Sequence, residues 1–197
     1  MVKYMPEIYV YVKIFKNDIK SCANGLSMQN FLHNEAVNLL KCGFNESLKI
    51  DFPAGKMQKN PKGKPYVEDF PYGFSISHCP YGVATAISEI SDIGVDIEGP
   101  RDIKENVMRR VSTDKEWQEL MLFREESGEA MNKSFLKLWT KKEAYLKATG
   151  EGLAGGFDLP GIYEPGRCET FEYDGGIVVS AAAISGKPVK FCEQIVS

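Results

Sequence analysis

The run Trp139-Thr-Lys-Lys-Glu-Ala-Tyr-Leu-Lys147 constrains the fold most, because it sets charges where a helix sets apolar side chains. At about 100° per residue, Phe135, Leu138, Trp139 and Leu146 share one face of a helix that ends at Gly150. Lys142 falls in the middle of this stripe, with Glu143 at its edge and Lys147 one turn further on. A charge on a buried face must be paired, bound to a metal or set against an anionic ligand, since desolvating it alone costs several kcal/mol. The plainer alternative is a surface Glu-to-Lys i,i+4 pair, with Thr140-x-x-Glu143 an incidental capping box.

Ile93-Gly94-Val95-Asp96-Ile97-Glu98-Gly99 is short, β-branched and bounded by glycine, which predicts a strand. Side chains alternate on a strand, so Val95 and Ile97 point one way and Asp96 and Glu98 the other. Two carboxylates side by side repel unless a cation lies between them. Mg²⁺ suits such a pair, because it takes one or two protein carboxylates and completes its octahedron with water and phosphate oxygens. A solvent-facing polar edge is the alternative, since Asp-x-Glu alone is a weak signal.

Phe74-Ser75-Ile76-Ser77-His78 predicts a strand with Phe74 and Ile76 toward a core and the serines opposite. Cys79-Pro80-Tyr81-Gly82 then turns the chain into a second strand, Val83 to Ser88. Hydroxyl and imidazole donors side by side at a strand end can hold phosphate oxygens, although a lone histidine is more often structural.

In this order, FSISH, GVDIE and WTKKEAYLK resemble the signature of the 4′-phosphopantetheinyl transferases, nearest to the pseudodimeric type that activates non-ribosomal peptide and polyketide synthases. The second and third motifs match fully, and the first has Ser75 where the family has asparagine. The resemblance covers residues 63 to 153 best. It implies an α+β fold of two similar lobes related by a pseudo-twofold, each a small antiparallel sheet with packed helices. The lobes would divide at residues 1–92 and 93–197, with the site between them.

The implied reaction moves 4′-phosphopantetheine from coenzyme A to a serine of an apo acyl or peptidyl carrier protein, releasing adenosine 3′,5′-bisphosphate. By resemblance, Asp96, Glu98 and Glu143 hold Mg²⁺, and Asp96, Glu143 and Lys147 form the catalytic set, with Glu143 or a water it orients taking the serine proton. Gly63, Lys64, Pro65, Ser77, His78 and Lys147 bind coenzyme A, and Lys147 donates to the α-phosphate. Relatives carry arginine or lysine on the first helix for the 3′-phosphate. The helix from Ser27 to His33 has no arginine here, which leaves Lys56 or Lys59 as substitutes and His33 as an ordinary surface residue. Lys142 is expected to be an internal partner of the site carboxylates. Carrier docking is expected beside the helix that starts at Thr113, through Arg109, Arg110, Met121 and Leu122. An inactive homologue that binds without transfer, and a Mg²⁺-dependent phosphohydrolase, are the competing classes.

Composition fits this frame. A chain of 197 residues with 43% hydrophobic content can bury a substantial core. A net charge of −3 carries no global nucleic-acid footprint, so anion binding must be local, as in the run Lys56, Lys59, Lys62, Lys64. The cysteines (Cys22, Cys42, Cys79, Cys168, Cys192) are odd in number and lack a Cys-x-x-Cys pair, which suits reduced thiols rather than disulfides or zinc. The N-terminal apolar run, broken by Lys13, is too short for a signal peptide or a membrane span. A cytoplasmic monomer without nucleic-acid or membrane partners is expected.

Alternation from Ile8 to Phe15 predicts a strand, and a Ser27-capped helix stopping at Gly43 follows. Further strands are expected near 47–52, 73–77, 82–88 and 93–98, and Thr113-x-x-Glu116 marks a capping box. A hairpin at Asp174-Gly175 with strands near 176–184 and 187–196 closes the second half. Val83-Ala-Thr-Ala-Ile-Ser88 and Ser180-Ala-Ala-Ala-Ile-Ser185 sit in like places, a faint trace of duplication.

Overall fold

The computed structural model describes residues 5–15, 27–152, 156–184 and 189–196. The first alternating run is β1 (Glu7–Ile14), with Ile8, Val10 and Val12 facing one core and Tyr11 another. Ser27 caps α1 (Met28–Gly43), its hydroxyl accepting from the Asn30 amide. A two-residue ladder, β2 (Gln58–Lys59) against β3 (Pro65–Tyr66), precedes the hairpin of β4 (Gly73–Cys79) and β5 (Gly82–Ser88). The Asp-x-Glu strand is β6 (Ile93–Glu98). Then come α2 (Glu105–Val111), α3 (Asp114–Glu126) with the predicted Thr113–Glu116 capping box, and the long α4 (Gly128–Thr149). Gly150, at φ 70°, ends α4 in the left-handed conformation that glycine adopts without strain. β7 (Cys168–Tyr173), a turn at Asp174–Gly176, β8 (Ile177–Ala183) and β9 (Lys190–Ile195) complete the order.

One sheet runs β4-β5-β1-β9 and another β6-β8-β7. All their pairs are antiparallel except β1 with β9. Ile8, Val10 and Val12 of the first sheet and Ile93, Val95 and Ile97 of the second belong to one buried cluster. A second cluster, around Tyr11, Leu39, Phe44 and Phe74, lies between the first sheet and α1. α4 covers the second sheet through Ala144 and Ala148 against Ala182. The units β1-α1-β4-β5 and β6-α4-β7-β8 have the same strand order, the last strand lying between the other two. The two small-residue runs fall on the corresponding central strands β5 and β8, Ser185 lying outside the described residues.

Two expectations are corrected. The strand predicted near 47–52 does not form: Phe44–Leu48 is a π-helical turn, and Lys49 follows at φ 57°. Leu48, Ile50 and Phe52 alternate like a strand, but packing of Phe52 on Phe44 (5.1 Å between ring centres) and Phe74 (5.0 Å) bends the segment back onto α1. The last strand, expected to close the second half, instead pairs in parallel with β1, from Glu7–Lys190 to Val12–Ile195. Val189 joins the shared cluster beside Ile8 and Val10, and that burial draws the strand to the first sheet. Cys42, Cys79, Cys168 and Cys192 are free thiols, and Cys22 lies outside the described residues. Among the described residues no helix is long and apolar enough to cross a membrane.

Candidate active site

The site starts from one glycine. A Cβ on Gly94 would come within 2.0 Å of the Ala144 carbonyl oxygen and 2.6 Å of the Ala148 amide nitrogen. Only a bare Cα lets α4 lie this close to β6. Trp139, Glu143 and Lys147 are spaced i, i+4, i+8 and so form one row along α4. The row meets Asp96 and Glu98, which share one face of β6. Lys147 Nζ donates to Asp96 Oδ1 at 2.6 Å, and Trp139 Nε1 donates to Glu98 Oε1 at 3.1 Å. Glu143 stands in the row between these two clamps.

β4 joins the same site. Ser77 Oγ donates to Asp96 Oδ1 at 2.8 Å and accepts from Lys147 Nζ at 2.8 Å. Ser75, where the resemblance expects asparagine, accepts from the Val95 amide and so ties β4 to β6. Asp96 is 6% exposed, yet its Oδ2 has no hydrogen-bond partner in the structure. A carboxylate oxygen held in that state lacks only a cation or a donor.

The electrostatics agree. Burial, then the charge of Asp96, raises the Glu98 carboxyl above its ordinary range, and the same two causes raise Glu143. These carboxylates therefore repel across the α4–β6 seam. They are not drawn into one shell: among the described residues no three His, Cys, Asp or Glu side chains form a metal-holding group. Glu98 Oε1 is held by Arg101 Nη2 at 2.9 Å as well as by Trp139. An orphaned, deeply buried Asp96 oxygen and mutually repelling carboxylates nevertheless fit a divalent cation.

A cavity of about 490 Å³ opens from this row. Asp96, Glu143 and Lys147 line it together with Lys59, Lys62, Gly63, Lys64, Pro65, Ser77 and His78. Carboxylates and cations thus line one volume. Burial, then the charge of Lys147, lowers the His78 pKa below its usual value. Burial lowers the Lys64 ammonium too, while Lys64 Nζ donates to the Ala148 carbonyl at 2.8 Å and pins the β2–β3 ladder to the end of α4. Of the residues expected to hold metal, substrate or catalysis, all line this cavity except Glu98 on β6; of the two substitute lysines, Lys59 lines it and Lys56 does not.

Two expected roles change. Lys142 is fully buried, but its carboxylate partner is Glu116 of α3 at 2.6 Å, not a site carboxylate. Its Nζ also donates to the carbonyls of Val111 (2.9 Å) and Phe157 (2.6 Å). The reason is angular: Lys142 precedes Glu143 by about 100°, which turns it from β6 toward α2 and α3. His33, expected as a plain surface residue, lines the cavity. Its side chain comes from the first helix, where the resemblance expects a basic residue. Sequence reasoning also missed the holding of Glu98 by Trp139 and Arg101; the spacing of Trp139 four residues before Glu143 was the available signal.

Two β-α-β-β units, with a polar cavity beside a carboxylate row, define the class structurally as α+β with small, mainly antiparallel sheets. Residues 92–171 match a sequence model of the 4′-phosphopantetheinyl transferase superfamily. The chain is 35% identical over 96 residues to the 4′-phosphopantetheinyl transferase gsp of Aneurinibacillus migulanus, a match covering 49% of this chain and 38% of that protein. Against the L-aminoadipate-semialdehyde dehydrogenase-phosphopantetheinyl transferase of Homo sapiens it is 34% identical over 128 residues (58% of this chain, 40% of that protein). With the 4′-phosphopantetheinyl transferase ffp of Bacillus subtilis it shares 29% identity over 161 residues (74% and 70%). The chain thus spans about two fifths of the length of the first two relatives.

Proposed function

We propose that this chain transfers 4′-phosphopantetheine from coenzyme A to the serine of an apo acyl or peptidyl carrier protein, releasing adenosine 3′,5′-bisphosphate. The observation that carries this reading is one cavity lined both by the Asp96 and Glu143 carboxylates and by Lys59, Lys62, Lys64 and His78. A pyrophosphate with a nucleotide phosphate beyond it, held with a divalent cation, needs such a mixed lining.

In the proposed step the carrier serine oxygen attacks the β-phosphorus, its bond to the bridging oxygen breaks, and that oxygen leaves on the adenosine bisphosphate. Most of the catalysis is positioning and charge neutralisation. Mg²⁺, held by Asp96, Glu98 and Glu143, would draw charge from the pyrophosphate oxygens. Glu143 takes the serine proton directly or through a water it orients; burial holds its carboxyl above the usual range, nearer the pH at which it works. Lys147, oriented by Asp96 and Ser77, donates to the α-phosphate. Gly63, Lys64 and Pro65 flank the nucleotide; Ser77 and His78, with His33 in the same cavity, stand on its 3′-phosphate side.

We read residues 1–92 and 93–197 as two lobes, β9 of the second returning to the sheet of the first. The protein is proposed to work as a cytoplasmic monomer. Intact mass spectrometry of apo acyl and peptidyl carriers, after incubation with the protein, coenzyme A and Mg²⁺, tests the function. Gain of phosphopantetheine on the carrier serine, abolished by chelator, is expected. Free phosphopantetheine without carrier modification would place the protein among hydrolases instead.

A further inference from the structure

We propose that Arg101 is a built-in rival for the divalent cation, and that it sets metal affinity by occupying Glu98 until the ion arrives. This inference rests on the metal reading above. Arg101 Nη2 lies 2.9 Å from Glu98 Oε1, the carboxylate oxygen that also accepts from Trp139. Glu98 is the one expected ligand that does not line the main cavity. Asp96, by contrast, leaves its buried Oδ2 without a partner. One carboxylate of the seam is therefore already engaged by a side-chain cation while another keeps a free oxygen.

Position makes Arg101 displaceable. Its side chain is 52% exposed, whereas that of Glu98 is 18% exposed. An ion pair with one partner in solvent is weak and gives way easily to a stronger charge. The other side of Arg101 lines a separate cavity of about 680 Å³ with Asp102, Glu129, Asn132 and Lys133, so the guanidinium has room to swing away. Trp139 has no such freedom, since it packs against Phe135 and Phe157 within the helical core. When the ion binds, Trp139 stays and keeps Glu98 oriented, while Arg101 departs.

The rival role and a simple orienting role predict opposite signs. If Arg101 competes, its removal tightens metal binding, because a positive charge leaves the neighbourhood of a cation. If Arg101 merely orients Glu98, removal weakens binding, as loss of an outer-shell partner does. Mn²⁺ serves as the probe, its free-ion electron paramagnetic resonance signal disappearing on binding, with no turnover involved. Titration of the full chain, wild type and Arg101→Gln, should give a dissociation constant about tenfold lower for the variant, the gain shrinking with added salt. The double variant Arg101→Gln with Glu98→Gln should lose the gain. An unchanged or raised constant in Arg101→Gln, a gain that persists without Glu98, or no Mn²⁺ binding by either protein would each overturn the proposal. Carrier modification by mass spectrometry is a separate readout, so the transferase reading stands or falls on its own result.

Discussion

The two β-α-β-β units place opposite charges at matched strand positions. Aligning the small-residue runs sets Val83 of β5 against Ser180 of β8; their cross-strand partners are Lys13 on β1 and Asp96 on β6. Each partner reaches its own helix. Lys13 pairs with Glu35 of α1 at 2.8 Å, and Asp96 pairs with Lys147 of α4 at 2.6 Å. The first pair is a single bridge on a partly exposed flank. The second lies deeper, keeps a spare oxygen and has Glu98 and Glu143 beside it. Identical topology therefore supports a plain strut in one unit and a seam of mutually repelling carboxylates in the other. The fold supplies the scaffold, and charge placement sets the two units apart.

The sharpest break of this comparison is to delete both strand charges. Asp96→Ala should lower carrier modification by about 100-fold or more, because it removes a proposed ligand and the anchor of Lys147. Lys13→Ala should leave turnover near wild type and cost less than about 1 kcal/mol, as exposed pairs do. Rates come from intact mass spectrometry and stabilities from chemical denaturation. Equal losses of turnover would mean that the first unit's strut also serves the site.

Stability separates the two lysines of α4. Lys142 is enclosed with Glu116, so Lys142→Ala leaves a buried, unpaired carboxylate and should cost about 3–5 kcal/mol, a melting drop of roughly 10 °C. Lys147→Ala should cost less, because Ser77 still donates to Asp96 and the cavity admits water, yet it should reduce turnover more. Burial pushes Glu116 up, but the bonds from Lys142, Tyr163 and the Thr113 amide outweigh it and hold its pKa below 4.5. A lowered carboxylate adds stability above the ordinary value and loses it as pH falls through the folded value. The acid limb of wild-type unfolding should therefore flatten in Lys142→Ala; an unaltered limb would assign acid sensitivity elsewhere.

Glu143 has the opposite linkage. Its pKa is raised, so its contribution to stability is full below 4.5 and is lost as pH rises through the folded value. Glu143→Gln, melted in excess chelator, should therefore be more stable than wild type at neutral pH, an advantage that vanishes in acid. Transfer should fail in the same variant. The buried Glu143 carboxylate is then a stability cost set against its proposed role. Equal melting at neutral pH would show Glu143 solvated rather than strained.

Much of this contrast was legible in the chain. Alternation assigned Asp96 and Glu98 to one face of β6, and the helical period placed Lys142 on the buried side of α4, because both periods are local. What escaped was long-range. Glu116, read as a cap, also serves Lys142 from another helix. The return of β9 to β1 depends on which core buries Val189, and no local pattern records that. The aromatic stack of Phe44 on Phe52 overrode the strand-like alternation of Leu48 and Ile50 for the same reason. His33 entered the cavity only because α1 packs across the sheet.

The smallest expected effect concerns what the second unit has and the first lacks. Between β6 and α4 it carries α2 and α3, whose outer faces expose Val107, Leu122 and Phe123 at 47%, 65% and 39%. Leu120 is buried and Trp117 packs against that core, so neither is free to meet a partner. Arg109 bonds Asp114 and the Ser112 carbonyl and stands 5.8 Å over the Trp117 ring, which leaves Arg110 as the freer cation. Reversing a rim charge changes association more than folding. Arg110→Glu should raise the apparent KM for an acidic carrier severalfold, leave that for coenzyme A unchanged, and reduce the salt dependence of carrier affinity. Arg109→Glu should add a modest loss of stability, because Asp114 and Trp117 lose their partner. Steady-state kinetics against each substrate decide the matter. Equal KM changes for both substrates would assign the arginines to the nucleotide cavity; no change for either would remove α2 from the docking surface.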